Sequence, residues 1–165
     1  EIIENVAAIN VGAGSWPHEN ATALTLAEGS IGADVIELPT GTYGQARRQM
    51  FGSLLIGIAG EGMTLSWDDP EQTRTRKDWK PGIAFAPAGM AFHQNFNNGT
   101  SSARLLRVEF GTAKYPLLRP RKRSYGDESV YASGAAEIPF EHEAPEIRSQ
   151  WQETIQKAGA KSTIP

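Results

Sequence analysis

Five side chains that could bind a small molecule lie in two stretches of the sequence that begin with glycine. The stretches are 41–60 and 82–97, and the side chains are Arg47, Gln49, Ser53, His93 and Asn97. Histidine can exchange a proton near neutral pH, and arginine carries a fixed positive charge that suits a carboxylate or an enolate. The residue types therefore predict a ligand pocket, and none of these side chains is assigned a catalytic role.

The same residue types are a poor set of ligands for a divalent metal. Iron, manganese and zinc sites take lone pairs from neutral imidazole, carboxylate or thiolate groups. The guanidinium of Arg47 offers only donors and a permanent positive charge, which would repel the cation. Gln49 and Ser53 offer neutral oxygens, which bind transition metals weakly. We therefore expect no metal and no cofactor in this chain.

The spacing of the two stretches resembles the two signature motifs of the cupin superfamily. The first motif, G-x5-H-x-H-x3-4-E-x6-G, fits from 41 to 60 without a gap, and its three metal-ligand positions fall on Arg47, Gln49 and Ser53. The second motif, G-x5-P-x-G-x2-H-x3-N, is met with two intervals that differ by one residue, at Gly82, Pro87, Gly89, His93 and Asn97. The resemblance implies an all-β fold, a cupin-type antiparallel β-barrel of jelly-roll type, in which the metal site is degenerate.

The hydrophobic pattern predicts an all-β barrel or sandwich, with short strands separated by Gly, Pro and Asn turns. In the apolar run that starts at Ser53, inward-facing Ser53 and Leu55 would leave three side chains facing outward, and these need cover. We predict that they form an interface with a second chain: Leu54, Ile56 and Ile58. The Gly60-Glu-Gly62 sequence that follows predicts a hairpin turn.

The chain divides into three predicted parts, an N-terminal arm over 1–29 with one short strand, a cupin β-barrel over 30–111 and a C-terminal extension over 112–165. The extension contains one predicted helix over about 145–158, with proline at its start and Gly159 at its end. Three apolar residues recur every four positions along it and form a narrow stripe, which we predict to dock on a partner: Ile147, Trp151 and Ile155.

Several of these side chains have two interpretations on sequence alone. His93 is either a site histidine that binds a ligand or shuttles a proton, or a relic whose ring hydrogen-bonds to Gln49, Asn95 or Ser53. Arg47 is either an anion clamp or part of a structural salt bridge or an interface. His18 and its neighbour Glu19, in the sequence WPHEN, are expected to be an exposed loop pair.

Composition excludes several function classes. The chain has 165 residues, a net charge of −3 and no cysteine. There is thus no global electrostatic case for nucleic acid, and disulfides, thiolate zinc sites and cysteine nucleophiles are absent. No apolar run approaches the roughly 20 residues that cross a bilayer. We expect a cytoplasmic protein that binds neither nucleic acid nor membrane, and we interpret the basic run 119–123 as a solvated loop or a protein contact.

The resemblance also carries an expectation about function. Among cupins, a degenerate metal site in a chain of this size implies a non-catalytic subunit, and the small subunit of two-component hydroquinone 1,2-dioxygenases is similar in mass and in its lost ligands. The expected partner is a larger cupin-like catalytic subunit in a hetero-oligomer, which holds Fe(II) and uses O2 to cleave the aromatic ring.

Two other functions stay open at this point. One is a stand-alone metal-free cupin that binds or isomerises a small anionic molecule, with His93 and Arg47 as its working residues. The other is a metal-dependent oxygenase with unusual ligands, which would require His18 or His142 to reach the pocket.

Overall fold

The computed structural model describes residues 2–27, 31–48, 53–68, 73–110 and 137–164. They form two antiparallel β-sheets that enclose a barrel interior, with one α-helix on the outside. The predicted all-β barrel with a C-terminal helix is therefore confirmed. Residues 29, 30 and 111 lie outside the described ranges, so the division into three parts stays a prediction.

Ten strands make up the two sheets. The first five are β1 Asn20–Leu26, β2 Ile31–Leu38, β3 Ala46–Arg47, β4 Leu54–Ala59 and β5 Gly62–Trp67. The other five are β6 Thr75–Trp79, β7 Ala84–Phe85, β8 Phe92–Asn97, β9 Ala103–Phe110 and β10 Glu137–Ile138. The first sheet has the order β1-β2-β9-β4-β7 and the second the order β10-β3-β8-β5-β6.

The turn between β4 and β5 does not form the predicted hairpin. Strand β4 belongs to the first sheet and β5 to the second, so the turn carries the chain from one sheet to the other. Gly60 has a φ of +68°, and a Cβ on it would lie 2.6 Å from the Ser102 carbonyl oxygen. Glycine is therefore required here by a close approach of two backbones and not by a two-residue hairpin loop.

Strand β8 divides its side chains between two environments, because successive residues of a strand point to opposite faces. Phe92 and Phe96 pack toward the helix, while His93, Asn95 and Asn97 point into the barrel. The barrel interior has a compact apolar part, the barrel core, against which Phe85 packs: Ile36, Leu38, Leu55, Trp79, Ala103 and Leu105.

The larger apolar cluster lies outside the barrel, between the second sheet and the helix α1 Pro145–Lys157. We call it the helix-side core, and it consists of Tyr43, Ala46, Met63, Leu65, Trp67, Phe92, Phe96, Ile138, Ile147, Trp151, Ile155 and Ile164. The Trp151 indole donates a hydrogen bond to the Asn97 carbonyl at 2.9 Å, and its ring lies edge-on to Tyr43 at 4.6 Å.

This packing corrects the prediction that the helix stripe docks on another chain. The exposed fractions of Ile147, Trp151 and Ile155 are 2%, 0% and 2%, all through burial by the chain's own second sheet. The outer face of the second sheet is apolar, and the stripe of α1 packs against this face within the same chain.

A polar network fixes the segment that leads into the helix. The Tyr43 hydroxyl donates to Glu143 at 2.7 Å, and the Gln94 amide donates to the other oxygen of Glu143 at 2.6 Å. Burial raises the pKa of the Glu143 carboxyl, and burial together with the Glu143 charge raises the pKa of Tyr43. The network therefore adds directional contacts to the apolar docking of α1.

The outer face of the first sheet is only partly covered. The arm crosses it near the short 3-10 helix Val6–Ala8, and the Arg104 guanidinium donates to the Ala7 and Ile9 carbonyls at 2.6 and 3.1 Å. Leu54 remains 43% exposed, and Ile56 and Ile58 are half-buried. As predicted, these side chains face outward while Ser53 and Leu55 are buried. No helix in the described part of the chain is long and apolar enough to cross a membrane.

Candidate functional site

Three side chains form a row across the inner face of the second sheet. Strand pairing places Ser66 opposite His93, and His93 opposite Arg47. Directly opposite residues of an antiparallel pair put their side chains on the same face. The structure thus brings together two of the predicted pocket residues, Arg47 and His93, inside the barrel.

Arg47 forms a buried salt bridge with Glu19. Its Nη1 lies 2.8 Å from Glu19 Oε2, and the two side chains are 4% and 2% exposed. The Arg47 guanidinium also lies 5.4 Å from the centre of the Trp16 ring. Arg47 therefore forms a structural salt bridge, one of the interpretations left open by the sequence.

The position of Glu19 corrects the prediction of an exposed loop pair. His18 is exposed, but Glu19 is 4% exposed and enters the barrel. The reason lies in Gly44, because a Cβ at this position would overlap the Glu19 carboxylate. The missing side chain of Gly44 makes the space that the carboxylate fills.

A second ion pair lies on the inner face of the first sheet. Asp34 and Arg107 are opposite residues of β2 and β9, and the guanidinium donates to both oxygens of the carboxylate at 2.6 to 2.8 Å. Burial lowers the pKa of Arg107, but the Asp34 carboxylate more than offsets this and the net pKa is raised. Arg107 therefore keeps its positive charge at neutral pH.

His93 is held neutral between these two cations. Burial, followed by the charges of Arg47 and Arg107, lowers the pKa of His93 to about 3. The His93 ring forms a hydrogen bond with the backbone of Ala91. Its Nε2 has no hydrogen-bond partner among the described residues. A group with so low a pKa does not exchange protons near neutral pH, which argues against the proton-shuttle interpretation.

The hydrogen bonds that the relic interpretation of His93 requires, to the described residues Asn95 or Ser53, are not present, and the one to Gln49 is not tested. Asn95 accepts a hydrogen bond from Thr64 at 2.7 Å, so its carbonyl oxygen is engaged elsewhere. The Ser53 hydroxyl is itself buried without a partner among the described residues. Gln49 lies outside the described residues.

Asn97 has a structural role at the far end of the same strand. Its amide nitrogen donates to the carbonyls of Leu38, Pro39 and Ser101 at 2.8 to 3.2 Å, and its oxygen accepts from the Gly99 amide. These contacts hold three backbone segments together. Asn97 therefore does not take part in the row formed by Arg47 and His93.

The side chains that are present do not fit a divalent metal. The neutral His93 ring faces two guanidinium groups, and the nearest carboxylates, those of Glu19 and Asp34, are each engaged by an arginine. In the described ranges, no group of three or more His, Asp or Glu side chains could hold a metal ion. His18 and His142 are exposed, away from the barrel interior.

An open cavity of about 270 Å³ lies beside the row at the mouth of the barrel. Its lining includes Ser66, Trp67, Lys77, Phe85 and Pro87. Ser66 is the residue opposite His93, so the backbone of this lining residue lies two strand spacings from that of Arg47, or roughly 10 Å.

Sequence reasoning missed Glu19, Asp34 and Arg107 as members of this cluster. For Asp34 a signal existed, because an acidic residue inside an apolar strand must find a partner when it is buried. The equivalent signal for Arg107 was its position on the inward face of an alternating strand. For Glu19 no local pattern predicts burial, since it follows a proline-containing turn.

No protein-family model matches this sequence, and no curated protein matches it either. Solved structures are similar in fold. The cupin domain of Schizosaccharomyces pombe Cnp3 matches with a TM-score of 0.52 and 16% identity, covering 67% of this chain and 73% of that one. The plu4264 protein from Photorhabdus luminescens matches with a TM-score of 0.52 and 14% identity, covering 66% and 86%.

A larger protein shares the same fold over part of its length. Lactobacillus farciminis oxalate decarboxylase, solved as a formate complex, matches with a TM-score of 0.53 and 13% identity, covering 67% of this chain. The match spans 32% of the decarboxylase chain, so this protein corresponds to about a third of that enzyme. At these identities the similarity concerns the architecture, and together with the two sheets and the motif spacing it leads to one conclusion: the chain has the cupin fold.

Proposed function

We propose that this chain is a non-catalytic, metal-free cupin subunit that supports a larger, metal-bearing cupin subunit. The observation that carries the proposal is the buried salt bridge between Arg47 and Glu19 at the first metal-ligand position of the motif. Because the salt bridge places a paired guanidinium there, beside a histidine with a low pKa, the interior favours structural ion pairs over metal chemistry.

The partner side of the proposal is supported by the outer face of the first sheet. Leu54 and Ile31 are 43% and 42% exposed on this face, and half-buried Ile56 lies beside Leu54. Strand β9 separates β2 from β4, so these aliphatic side chains are spread over the width of three strands on one sheet face. Apolar surface of this kind on a sheet suits contact with another protein. The helix stripe no longer supports this point, since its own chain buries it.

The resemblance to hydroquinone 1,2-dioxygenase small subunits gives the partner its proposed chemistry. Under that proposal the larger subunit holds Fe(II) and cleaves the ring with O2, while this chain contributes fold and contact surface. The alternative, a stand-alone protein that binds a small anion through Arg47, is less well supported, because the Glu19 carboxylate already occupies that cation.

The first test is whether a neighbouring reading frame encodes a larger cupin-like chain, and the second is co-expression of that chain with this one. We expect one complex by native mass measurement, iron in the larger subunit and ring cleavage by the complex. Leu54→Lys should weaken assembly, whereas Gln152→Ala, at an exposed position of α1, serves as the matched control. Stoichiometric iron and turnover by this chain alone would contradict the proposal.

A further inference from the structure

The carboxylate inside the barrel comes from the arm and not from a strand. Glu19 precedes β1, and it is the only fully buried residue in the described part of the arm, 2–27. The 3-10 helix of the arm contains no buried residue. The arm therefore inserts a single charged side chain into the barrel.

The backbone beside Glu19 is in a conformation that side chains disfavour. His18 has a φ of 61°, in the left-handed region that residues with a Cβ rarely adopt. Its ring lies edge-on to Phe140 at 5.3 Å. The turn is thus held in an unfavourable backbone conformation by contacts at its ends, and the Glu19 salt bridge is one of them.

The salt bridge leaves one oxygen of the Glu19 carboxylate and one nitrogen of the Arg47 guanidinium without a hydrogen bond to a described residue. Glu19 Oε2 accepts from Arg47 Nη1, while Glu19 Oε1 and Arg47 Nε are buried without partners among the described residues. An arginine can bind a carboxylate through two parallel hydrogen bonds, as Arg107 does with Asp34. Glu19, tethered to the arm, makes one such bond.

We propose that Arg47, Trp16 and the space beside Gly44 form a binding site for a small monocarboxylate, which the arm occupies in cis with Glu19. The class of ligand follows from charge and size. Removing Glu19 takes away the carboxylate that is ion-paired with Arg47, and it empties the space beside Gly44 that this carboxylate fills. A monocarboxylate without the tether is free to turn toward Arg47 Nε as well as Nη1, as the Asp34 carboxylate does toward two nitrogens of Arg107.

Chemical rescue tests this site in the full-length chain. Acetate contains the same heavy atoms that Glu19→Ala removes, so it can replace the lost side chain. With chloride at matched ionic strength as reference, we expect the Tm of Glu19→Ala to rise saturably by about 2–4 °C as acetate approaches about 100 mM. Wild-type protein should show no acetate-specific rise, because Glu19 fills the site.

Two further variants separate the charge from the space. Glu19→Gln keeps the volume and removes the charge, so we expect no acetate-specific rise. Glu19→Ala combined with Arg47→Met keeps the space and removes the cation, and should also show none. If Glu19→Ala does not fold in chloride, the folded fraction recovered on refolding with and without acetate replaces Tm.

The outcomes are decisive in both directions. An equal acetate response in wild type and Glu19→Ala, a response that survives Arg47→Met, or the absence of any acetate-dependent gain would overturn the carboxylate site. The measurement needs no partner chain, so its failure is distinct from a failure of the proposed subunit role.

Discussion

Strand β8 contributes Phe92 and Phe96 to the helix-side core and His93 and Asn97 to the barrel interior, and all four are buried. The outward side of this strand, which a lone barrel would expose, carries the larger apolar cluster. The inward side carries hydrogen bonds and a neutral histidine. The comparison shows that the barrel depends on its C-terminal helix for much of its apolar burial.

The helix-side core and the barrel interior should also respond differently to amino-acid substitution. Apolar contacts are short-ranged, and the loss of one side chain leaves a cavity. Charges buried in a medium of low dielectric constant must be balanced, so the loss of one partner leaves the other unpaired. Glu19–Arg47 and Asp34–Arg107 are balanced in this way inside the barrel. Variants on each side should therefore fail for different reasons.

The largest expected effect is on the helix side. Trp151→Ala removes a fully buried ring and its hydrogen bond to Asn97, and we expect the free energy of unfolding to fall by about 3–5 kcal/mol. Guanidinium denaturation measures the loss. Gln152→Ala, one residue along and exposed, should change it by less than about 0.5 kcal/mol. A loss below about 1 kcal/mol for Trp151→Ala would mean that the helix contributes little to the core.

Inside the barrel, Asp34→Asn should cost about 3 kcal/mol, since Arg107 then keeps a buried charge without a counter-ion. Replacing both partners, with Asp34→Leu and Arg107→Met, should recover most of this loss. A double-mutant cycle by urea denaturation makes the comparison. A double variant less stable than either single variant would show that the ion pair itself stabilises the fold. The barrel interior and the helix-side core would then differ less in how they contribute to stability.

A smaller effect is expected from pH at His93. The folded-state pKa of about 3 lies below the ordinary value of 6.5, so the unfolded chain takes up a proton that the folded chain does not. The associated stability is present above pH 6.5 and is lost as pH falls toward 3, with a slope that approaches about 1.4 kcal/mol per pH unit between these two values.

His93→Gln should remove this slope, because glutamine does not titrate. Denaturation curves of wild type and variant, measured between pH 7 and pH 5, give the difference. Equal slopes in the two proteins would show that His93 is protonated in the folded barrel and therefore not confined by the two guanidinium groups.

The smallest effect on the isolated chain is expected at the outer face of the first sheet. Leu54→Lys changes a side chain that is 43% exposed, so the free energy of unfolding should move by less than about 0.5 kcal/mol. Its effect should appear in complex formation with the larger subunit, measured by native mass. A large loss of stability in the isolated chain would instead place Leu54 in an intramolecular contact.

Local pattern predicted a good part of this fold. The alternation after Ser53 predicted which side chains face inward, and the helix begins at Pro145 as expected and ends at Lys157. Motif spacing placed Arg47 and His93 in one pocket, where strand pairing indeed sets them opposite each other. These features depend on neighbours a few residues away, or on spacing that a known fold constrains.

The contacts that define the site depend on residues far apart in sequence. Glu19 and Arg47 are separated by 28 positions, and Tyr43 and Glu143 by 100. No periodicity links such residues, and the turn around His18 resembles an ordinary exposed loop. The prediction for Glu19 was wrong because its burial depends on the space left by Gly44.

The sequence by itself determined the barrel, its strand alternation and the helix, because hydrophobic period and glycine spacing act locally. Only the tertiary structure decided that the helix stripe packs on its own sheet and that a carboxylate from the arm enters the barrel. An apolar stripe specifies that it must be covered but not by which surface, and a charge specifies that it must be balanced but not by which residue. Both choices are made when distant segments meet in the folded chain.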